Sequence, residues 1–192
     1  MERKVNGGFL YMKATGIVRR IDDLGRVVVP KEIRRTLRIR EGDSMEIFTG
    51  TDGEIILKKY SPIGELGDFA RQYADALAQT TGNVICITDR DRIIAVSGSG
   101  KKDMLMKPIS RQLEDLIDGR ENVTATRKER KFVPIVQNEE EFQAQAISPI
   151  ICEGDAIGSV IIATKEPQSK FGETEQKLTH SAAGFLGKQM ES

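Results

Sequence analysis

Short apolar stretches separated by turn signals characterise the first 60 residues of the chain. ATGIVRRI at 14–21 and RVVV at 26–29 are rich in β-branched residues and flank DDLG, which predicts two strands joined by a turn with Gly25. MEIFT at 45–49 and EIILKKY at 54–60 predict a hairpin, because Asp52-Gly53 lies between them. PKEIRRTL at 30–37 predicts a short helix that begins at a proline.

Beyond residue 60, helical periodicity alternates with apolar strand-like runs. Apolar residues at three- and four-residue spacing predict a helix within 61–80: Leu66, Phe69, Ala70, Tyr73, Ala74 and Leu77. Runs at 83–88 and 92–97, and again at 142–151 and 156–164, predict two hairpins. Further helices are predicted over 107–119 and 172–190. This order predicts an α+β domain with an antiparallel sheet covered by helices.

The N-terminal segment is too small to enclose a core of its own. Residues 13–60 contain few large apolar side chains, and units of this size rarely bury enough surface to fold alone. We therefore predict an obligate two-fold dimer, in which two copies interleave their strands and double any surface that the segment carries.

Charge is divided unevenly between the two parts. The whole chain has 29 basic and 29 acidic residues, for a net charge of zero. Residues 19–40 nevertheless hold eight basic residues against three acidic ones, whereas residues 61–192 hold 16 against 20. Such a sign asymmetry is expected when one part of a chain meets phosphates and the other has a different task.

The basic side chains of the N-terminal segment are placed on predicted regular structure rather than in a tail. Arg19 and Arg20 end the first strand, Arg26 follows the turn, and Arg34 and Arg35 lie on the helix. Arginine has a planar fork that binds phosphates or guanine edges with two hydrogen bonds. Rigid arginines on a two-fold dimer predict double-stranded DNA as the partner.

Residues 12–60 closely resemble the DNA-binding domain of the AbrB family of bacterial transition-state regulators. The likeness includes TGIVR, LGRVV followed by a proline, the EIRRTL helix and the ILKKY ending. It implies an all-β swapped-hairpin barrel that is dimeric. It also implies DNA contacts at Arg19, Arg26, Arg34 and Arg35. We add Arg20 and Lys31 as further candidates for the same contact.

The second half resembles a GAF domain, a sensory α+β module, through the paired strands of SPIICEGDAIGSVIIAT. Over residues 12–192 the combination resembles a family of transcription factors of spore-forming bacteria. That resemblance implies a homotetramer, joined through GAF-like domains, that activates some late forespore genes and represses others. It also implies an unidentified small-molecule effector as a further partner. The cyclic-nucleotide signature of some GAF domains is missing from the sequence.

The domain division expected from these patterns has four parts. Residues 1–12 form an extra leader, residues 13–60 the AbrB-like DNA-binding domain, residues 61–80 a linker helix, and residues 81–192 the GAF-like domain. Met12 coincides with the usual start of the AbrB family, so a misassigned start codon is the expected origin of the leader.

Other functions receive less support from the sequence. An antitoxin of a toxin–antitoxin pair is the alternative, because such antitoxins use a related barrel, although they usually end in a disordered toxin-binding tail. A thiol enzyme would need a reactive Cys86 or Cys152, and both lie in apolar runs typical of buried core. With His180 as the only histidine, we predict no metal, no cofactor and no catalytic residue. No apolar run is long enough for a bilayer, which predicts a cytoplasmic, nucleoid-associated protein.

Overall fold

The structure of the chain, a computed structural model, describes residues 2–5, 8–11, 15–65, 67–98, 102–137, 142–167 and 169–191. It divides into two compact units, Met1–Asp43 and Ser44–Ser192. Leu66, which the sequence assigns to the linker helix, and Met12 lie outside the described residues.

The first unit contains little regular structure. Strands β1 (Glu2–Val5) and β2 (Gly8–Tyr11) form an antiparallel hairpin within the leader, where the sequence predicts no element. Residues 15–22 and 26–30 contain no strand, in contrast to the two strands predicted over 14–21 and 26–29. The backbone N–H and C=O groups of a strand must form hydrogen bonds with a neighbouring strand. No strand in the described part of the single chain pairs with these two segments. The two strands stay a prediction for the dimer.

Helix α1 (Lys31–Thr36) follows Pro30, as the sequence predicts. It ends in a Schellman motif, in which the Ile39 N–H donates to the Arg34 carbonyl over 2.7 Å and the Arg38 N–H donates to the Arg35 carbonyl. Arg38 occupies the position that usually holds glycine, with φ at +53°. These bonds satisfy the last carbonyls of a helix that is too short to be stable in isolation.

The second unit begins with the predicted hairpin. Strands β3 (Met45–Thr49) and β4 (Ile55–Lys59) are antiparallel, with Ile47 opposite Leu57. Gly53 in the turn has φ at +80°, a conformation that side-chain-bearing residues rarely adopt. The prediction from Asp52-Gly53 is therefore confirmed.

A five-stranded antiparallel sheet forms the centre of the second unit. Its strands are β5 (Val84–Asp89), β6 (Ile93–Ser97), β7 (Val123–Thr126), β8 (Ala144–Cys152) and β9 (Asp155–Thr164), in the order β6-β5-β9-β8-β7. The helices are α2 (Pro62–Glu65), α3 (Gly67–Thr81), α4 (Arg111–Asp118) and α5 (Glu173–Met190), with a short 3₁₀ turn at Lys102–Met104. The predicted α+β arrangement is confirmed.

The sheet separates two apolar cores. One face packs against α4 and the segments around Val136 and Phe142, with Cys86 and Ile147 among its buried side chains. The other face packs against α2, α3 and α5, with Ala74 and Leu186 among them. Alternation along the strands explains this division, because successive side chains point to opposite faces of a sheet.

The helix predicted within 61–80 is represented by the helical segments α2 and α3, which lie on either side of Leu66. One detail differs from the sequence prediction. Strand β7 follows the charged turn after α4 and was missed, because VTAT is short and half polar and lies at the sheet edge. Among the described residues, no helix combines the length and apolar character of a membrane span.

Candidate nucleic-acid interface

A hydrogen-bonded turn places Arg26 in the basic segment. The Asp22 carboxylate accepts from the backbone N–H of Arg26 over 2.8 Å and from that of Leu24 over 3.0 Å. Its second oxygen accepts from Arg26 Nε over 2.8 Å. The turn is closed by the Gly25 N–H, which donates to the Asp22 carbonyl, and Gly25 has φ at +74°. One aspartate thus holds both the backbone and the side chain of Arg26.

These bonds act on the charge state of Asp22. The donated backbone hydrogen bond of Arg26 and then its guanidinium hold the pKa of the Asp22 carboxyl below its ordinary value. Arg26 itself keeps 68% of its side chain exposed. Asp22 therefore holds the Nε edge of the guanidinium, while the outer edge faces solvent. This outer edge is the one that would bind a phosphate.

Helix α1 carries three more of the predicted residues. Lys31 is its first residue and is exposed, Arg35 is exposed, and Arg34 is partly buried. The Arg34 carbonyl also accepts a hydrogen bond from the Ile39 N–H in the Schellman motif that ends the helix. The helix thereby fixes the spacing of these cations, which a flexible tail would not do.

Arg19 and Arg20 lie in the extended segment that precedes the turn, and both are exposed. Five of the six predicted residues are therefore exposed in the described structure and the sixth is partly buried. The role of Asp22 does not follow from the charge pattern, in which Asp22 only reduces the net positive charge. An acidic residue four positions before an arginine, around a glycine turn, is the signal that could have indicated it.

Apolar side chains surround these cations in the first unit. Val18 is 86% exposed and Val28 is 71% exposed, and Ile21, Leu24 and Val27 are also exposed. A folded unit seldom leaves so many large apolar side chains in water. This exposure agrees with a unit that is completed by a second copy.

Neither cysteine has the environment of a reactive thiol. Cys86 and Cys152 are both buried. Burial and then the charges of Glu153, Glu191 and Asp155 raise the pKa of the Cys152 thiol. A raised pKa lowers the thiolate population, whereas an activated cysteine needs the opposite. Within the described ranges, no group of His, Cys, Asp and Glu side chains has the arrangement of a metal site.

Comparisons with known proteins identify the family. Residues 65–191 match a family described as "Stage V sporulation protein T C-terminal, transcription factor". The chain is also 58% identical over 181 residues to stage V sporulation protein T of Bacillus subtilis strain 168, an alignment that covers 94% of this chain and 99% of that protein. The chain belongs to the stage V sporulation protein T family.

The N-terminal part of this family member has its own relatives. Residues 18–65 match a family described as "Antidote-toxin recognition MazE, bacterial antitoxin". The transition state regulatory protein AbrB of Bacillus subtilis strain 168 is 60% identical over 53 residues, or 28% of this chain and 54% of that protein. The predicted AbrB-type N-terminal part is thus confirmed.

Solved structures identify the fold of the C-terminal part. The GAF domain of an Acinetobacter phosphoenolpyruvate-protein phosphotransferase superposes with a TM-score of 0.53 at 15% identity, over 65% of this chain and 81% of that one. The GAF domain of Thermosynechococcus elongatus PixJ gives a TM-score of 0.54 at 10% identity, over 69% and 89% of the two chains. The predicted GAF-like fold is confirmed for this member of the stage V sporulation protein T family, and identities this low indicate the fold alone.

Proposed function

We propose that the chain is a DNA-binding transcriptional regulator that activates some late, forespore-stage sporulation genes and represses others. The observation that carries this function is the 58% identity to stage V sporulation protein T over 94% of the chain. The description of the matching C-terminal family as a transcription factor supports it. The eight basic residues within 19–40 supply the charge that a DNA partner requires.

In this proposal, six side chains of each subunit contact the duplex. They are Arg19, Arg20, Arg26, Lys31, Arg34 and Arg35. Exposure of five of them supports the assignment, and the Asp22 turn gives Arg26 a fixed orientation. Phosphate contacts of this kind fix the position of a protein on DNA, while sequence preference arises from base edges and from DNA shape.

The DNA-binding form is a dimer that shares strands between two copies. The exposed apolar residues of the first unit, among them Val18 and Val28, support this, since a swapped barrel would bury them. Ile47 and Leu57 on the β3–β4 hairpin are also exposed and would join the same barrel. The domain boundary near residue 60 follows from this arrangement, because β3 and β4 then belong to the barrel, and the family matches at 18–65 and 65–191 agree with it.

In this proposal, the GAF-like domain, residues 81–192, joins two dimers into a tetramer and senses a small-molecule effector. Exposed Phe185 of α5, which packs against Tyr73 of α3 with ring centroids 5.4 Å apart, supports a contact through these helices. The linker residues 61–80 connect this domain to the barrel. The protein acts in the cytoplasm of the forespore, on the nucleoid, and is not an enzyme.

An antitoxin is the second candidate, because residues 18–65 match an antitoxin family. That match covers only the N-terminal part, however. Residues 65–191 match a transcription factor family. They contain a sheet with two apolar cores, whereas the toxin-binding tail of an antitoxin is usually disordered. Recovery of a stoichiometric toxin with the full chain would favour the antitoxin.

Genome-wide mapping of bound DNA in sporulating cells tests the proposed function. Wild-type protein should occupy many promoters, and Arg26→Ala should lose most of this occupancy at equal protein level. Arg71→Ala is the matched control, because Arg71 is exposed on α3 outside the basic segment, and its map should equal that of wild type. Equal maps for all three proteins would rule out the assigned DNA contact.

A further inference from the structure

Asp22 is an acidic residue in the middle of the basic segment. Residues 19–40 hold three acidic residues, Asp22, Asp23 and Glu32, against eight basic ones. A carboxylate close to a DNA phosphate is repelled, so an acidic residue on a DNA-binding surface should weaken binding. Charge alone therefore gives no reason for an aspartate four residues before Arg26.

The two oxygens of the Asp22 carboxylate have different roles. Oδ1 accepts from the backbone N–H groups of Leu24 and Arg26, over 3.0 and 2.8 Å. Oδ2 accepts from the Arg26 Nε atom over 2.8 Å. The first oxygen shapes the turn, as aspartate side chains commonly do through the backbone that follows them. The second oxygen fixes the direction of the guanidinium.

The backbone of the turn joins the same two residues again. The Asp22 N–H donates to the Arg26 carbonyl over 3.1 Å, and the Gly25 N–H donates to the Asp22 carbonyl over 3.0 Å. Asp22 and Arg26 are thus connected through both backbone and side chains. A long side chain loses conformational freedom when it binds a ligand, and one that is already held in place loses less. The turn therefore reduces the entropic cost of a contact made by Arg26.

Asp23 is a natural comparison for Asp22. The two residues carry the same charge, are adjacent in sequence and are both exposed. The three hydrogen bonds to a carboxylate in this turn all end on Asp22, and none ends on Asp23. Hydrogen bonding, and not charge, is therefore what distinguishes Asp22 from its neighbour.

We propose that Asp22 is a positioning residue for DNA binding, which holds the Nε edge of Arg26 so that the outer edge of the guanidinium can bind a phosphate. The inference rests on the proposed DNA contact of Arg26 and adds an acidic residue on which that contact depends. Repulsion between Asp22 and the phosphate is the smaller effect, because the Arg26 guanidinium, 2.8 Å from the carboxylate, offsets its charge.

Titration of the full-length chain with a fluorescently labelled promoter fragment, chosen from those that wild-type protein occupies in the genome-wide map, tests the role of Asp22. In Asp22→Asn the amide oxygen can keep the bonds to the backbone N–H groups, but the NH₂ group faces the Arg26 Nε donor, so only the guanidinium is released. Affinity should fall by about tenfold, because both copies of Arg26 in a dimer must then be ordered on binding. Asp22→Ala also loses the turn, and its affinity should fall at least as far.

Asp23→Asn is the matched control, because it removes the same charge and leaves the bonds of the turn in place. It should bind DNA as tightly as wild type or more tightly. A second control places Asp22→Asn in an Arg26→Ala background. There the substitution should cause no further loss of affinity, since no guanidinium remains to be held. Size-exclusion chromatography verifies that every variant keeps the oligomeric state of wild type.

Three results would overturn the positioning role. They are Asp22→Asn binding as tightly as wild type, Asp23→Asn weakening binding as much as Asp22→Asn, and an equal loss from Asp22→Asn with and without the Arg26 side chain. Failure of the proposed function has a different signature, because wild-type protein would then bind no fragment, or Arg26→Ala would bind like wild type. That result would remove the DNA contact of Arg26 and the role of Asp22 with it.

Discussion

The Lys59 ammonium lies 2.6 Å from the Asp91 carboxylate, although 32 residues separate them along the chain. Only 19% and 17% of the two side chains are exposed. Lys59 ends β4, and Asp91 lies in the turn between β5 and β6. The ion pair therefore fastens the hairpin that carries the ILKKY ending to the sheet of the GAF-like fold.

Hydrogen bonds extend this connection on both sides. Ser61, two residues after Lys59, donates to the Asp89 carboxylate over 3.1 Å, and the same carboxylate accepts from the Asp91 and Arg92 N–H groups at 2.7 Å. The Ile109 N–H donates to the Asp91 carbonyl just before α4 begins. The turn thus contacts both the β3–β4 hairpin and the approach to α4.

Removal of either partner of this ion pair should destabilise the protein. We expect Asp91→Ala to lower the free energy of unfolding by about 1–3 kcal/mol, because the largely buried Lys59 ammonium loses its ion pair with Asp91. Lys59→Met should cost a similar amount, and the double variant should cost less than the sum of the two. Denaturant unfolding of the four proteins measures the coupling.

Lys58→Met is the control for this cycle, since Lys58 is the exposed neighbour of Lys59 on β4. Its free energy of unfolding should remain within about 0.5 kcal/mol of wild type. Strictly additive effects of the Lys59 and Asp91 substitutions would show that the short distance carries no interaction energy.

Helix α5 approaches the sheet at a glycine, which gives a second prediction. A Cβ atom at Gly187 would overlap the carbonyl oxygen of Ile151 in β8, whereas a Cβ at Gly184 meets nothing within 4 Å. Gly187→Ala should therefore lower the free energy of unfolding by about 1–3 kcal/mol through overpacking. Gly184→Ala on the same helix should raise it by up to about 1 kcal/mol through helix propensity. Thermal unfolding compares the two, and a stabilised Gly187→Ala would contradict the close approach.

Much of the C-terminal fold could be predicted from the sequence because its elements are long and uniform. The apolar runs of β5, β8 and β9 and the periodic apolar positions of α5 each indicate one structure. Strand β7 gave no such signal, since its Thr124 and Thr126 resemble loop residues. The alternating QAQA of 143–146 suggests a strand with one exposed face, on which Gln145 would lie. Gln145 is buried instead, because helices cover both faces of the sheet.

The residues of the candidate interface stay a prediction from the sequence, and their geometry could not be predicted. The arginines are visible as a charge cluster, while the bond between Arg26 and Asp22 depends on the shape of the turn at Gly25. Residues 15–21 and 26–29 contain no strand in the described single chain, and in the proposed dimer their pairing edge would come from a second copy. A long-range pair such as Lys59 and Asp91 leaves no local pattern at all.

Acid should release the turn that holds Arg26. The pKa of Asp22 is lowered in the folded chain, first by the backbone hydrogen bond of Arg26 and then by its side chain. The stabilisation is therefore fully present above the ordinary aspartate pKa of about 3.9 and is lost as pH falls through the lower folded value. NMR titration of the Leu24 and Arg26 amide protons should report a midpoint below that of an unstructured aspartate.

Asp22→Asn is the control for the titration. Its amide oxygen can still accept from the Leu24 and Arg26 N–H groups, but it has no charge to lose, so both signals should stay constant over the same acid range. A wild-type midpoint at or above the ordinary value would contradict the carboxylate hydrogen bonds of the turn.

Salt dependence of DNA binding gives the sharpest test of the individual arginines. If about four of the six side chains proposed per subunit each meet a phosphate, a dimer makes about eight phosphate contacts, and the logarithm of affinity should fall against that of salt with a slope near −0.9 per contact. Arg26→Ala removes two contacts per dimer, so its slope should be shallower by about 1.8. Arg26→Lys keeps the charge but loses the planar fork, so it should bind more weakly than wild type with nearly the same slope. Fluorescence titration at several salt concentrations measures all three slopes, with size-exclusion chromatography to verify that each variant stays dimeric or larger. An Arg26→Ala slope equal to that of wild type would remove Arg26 from the interface, whichever other cations remain in it.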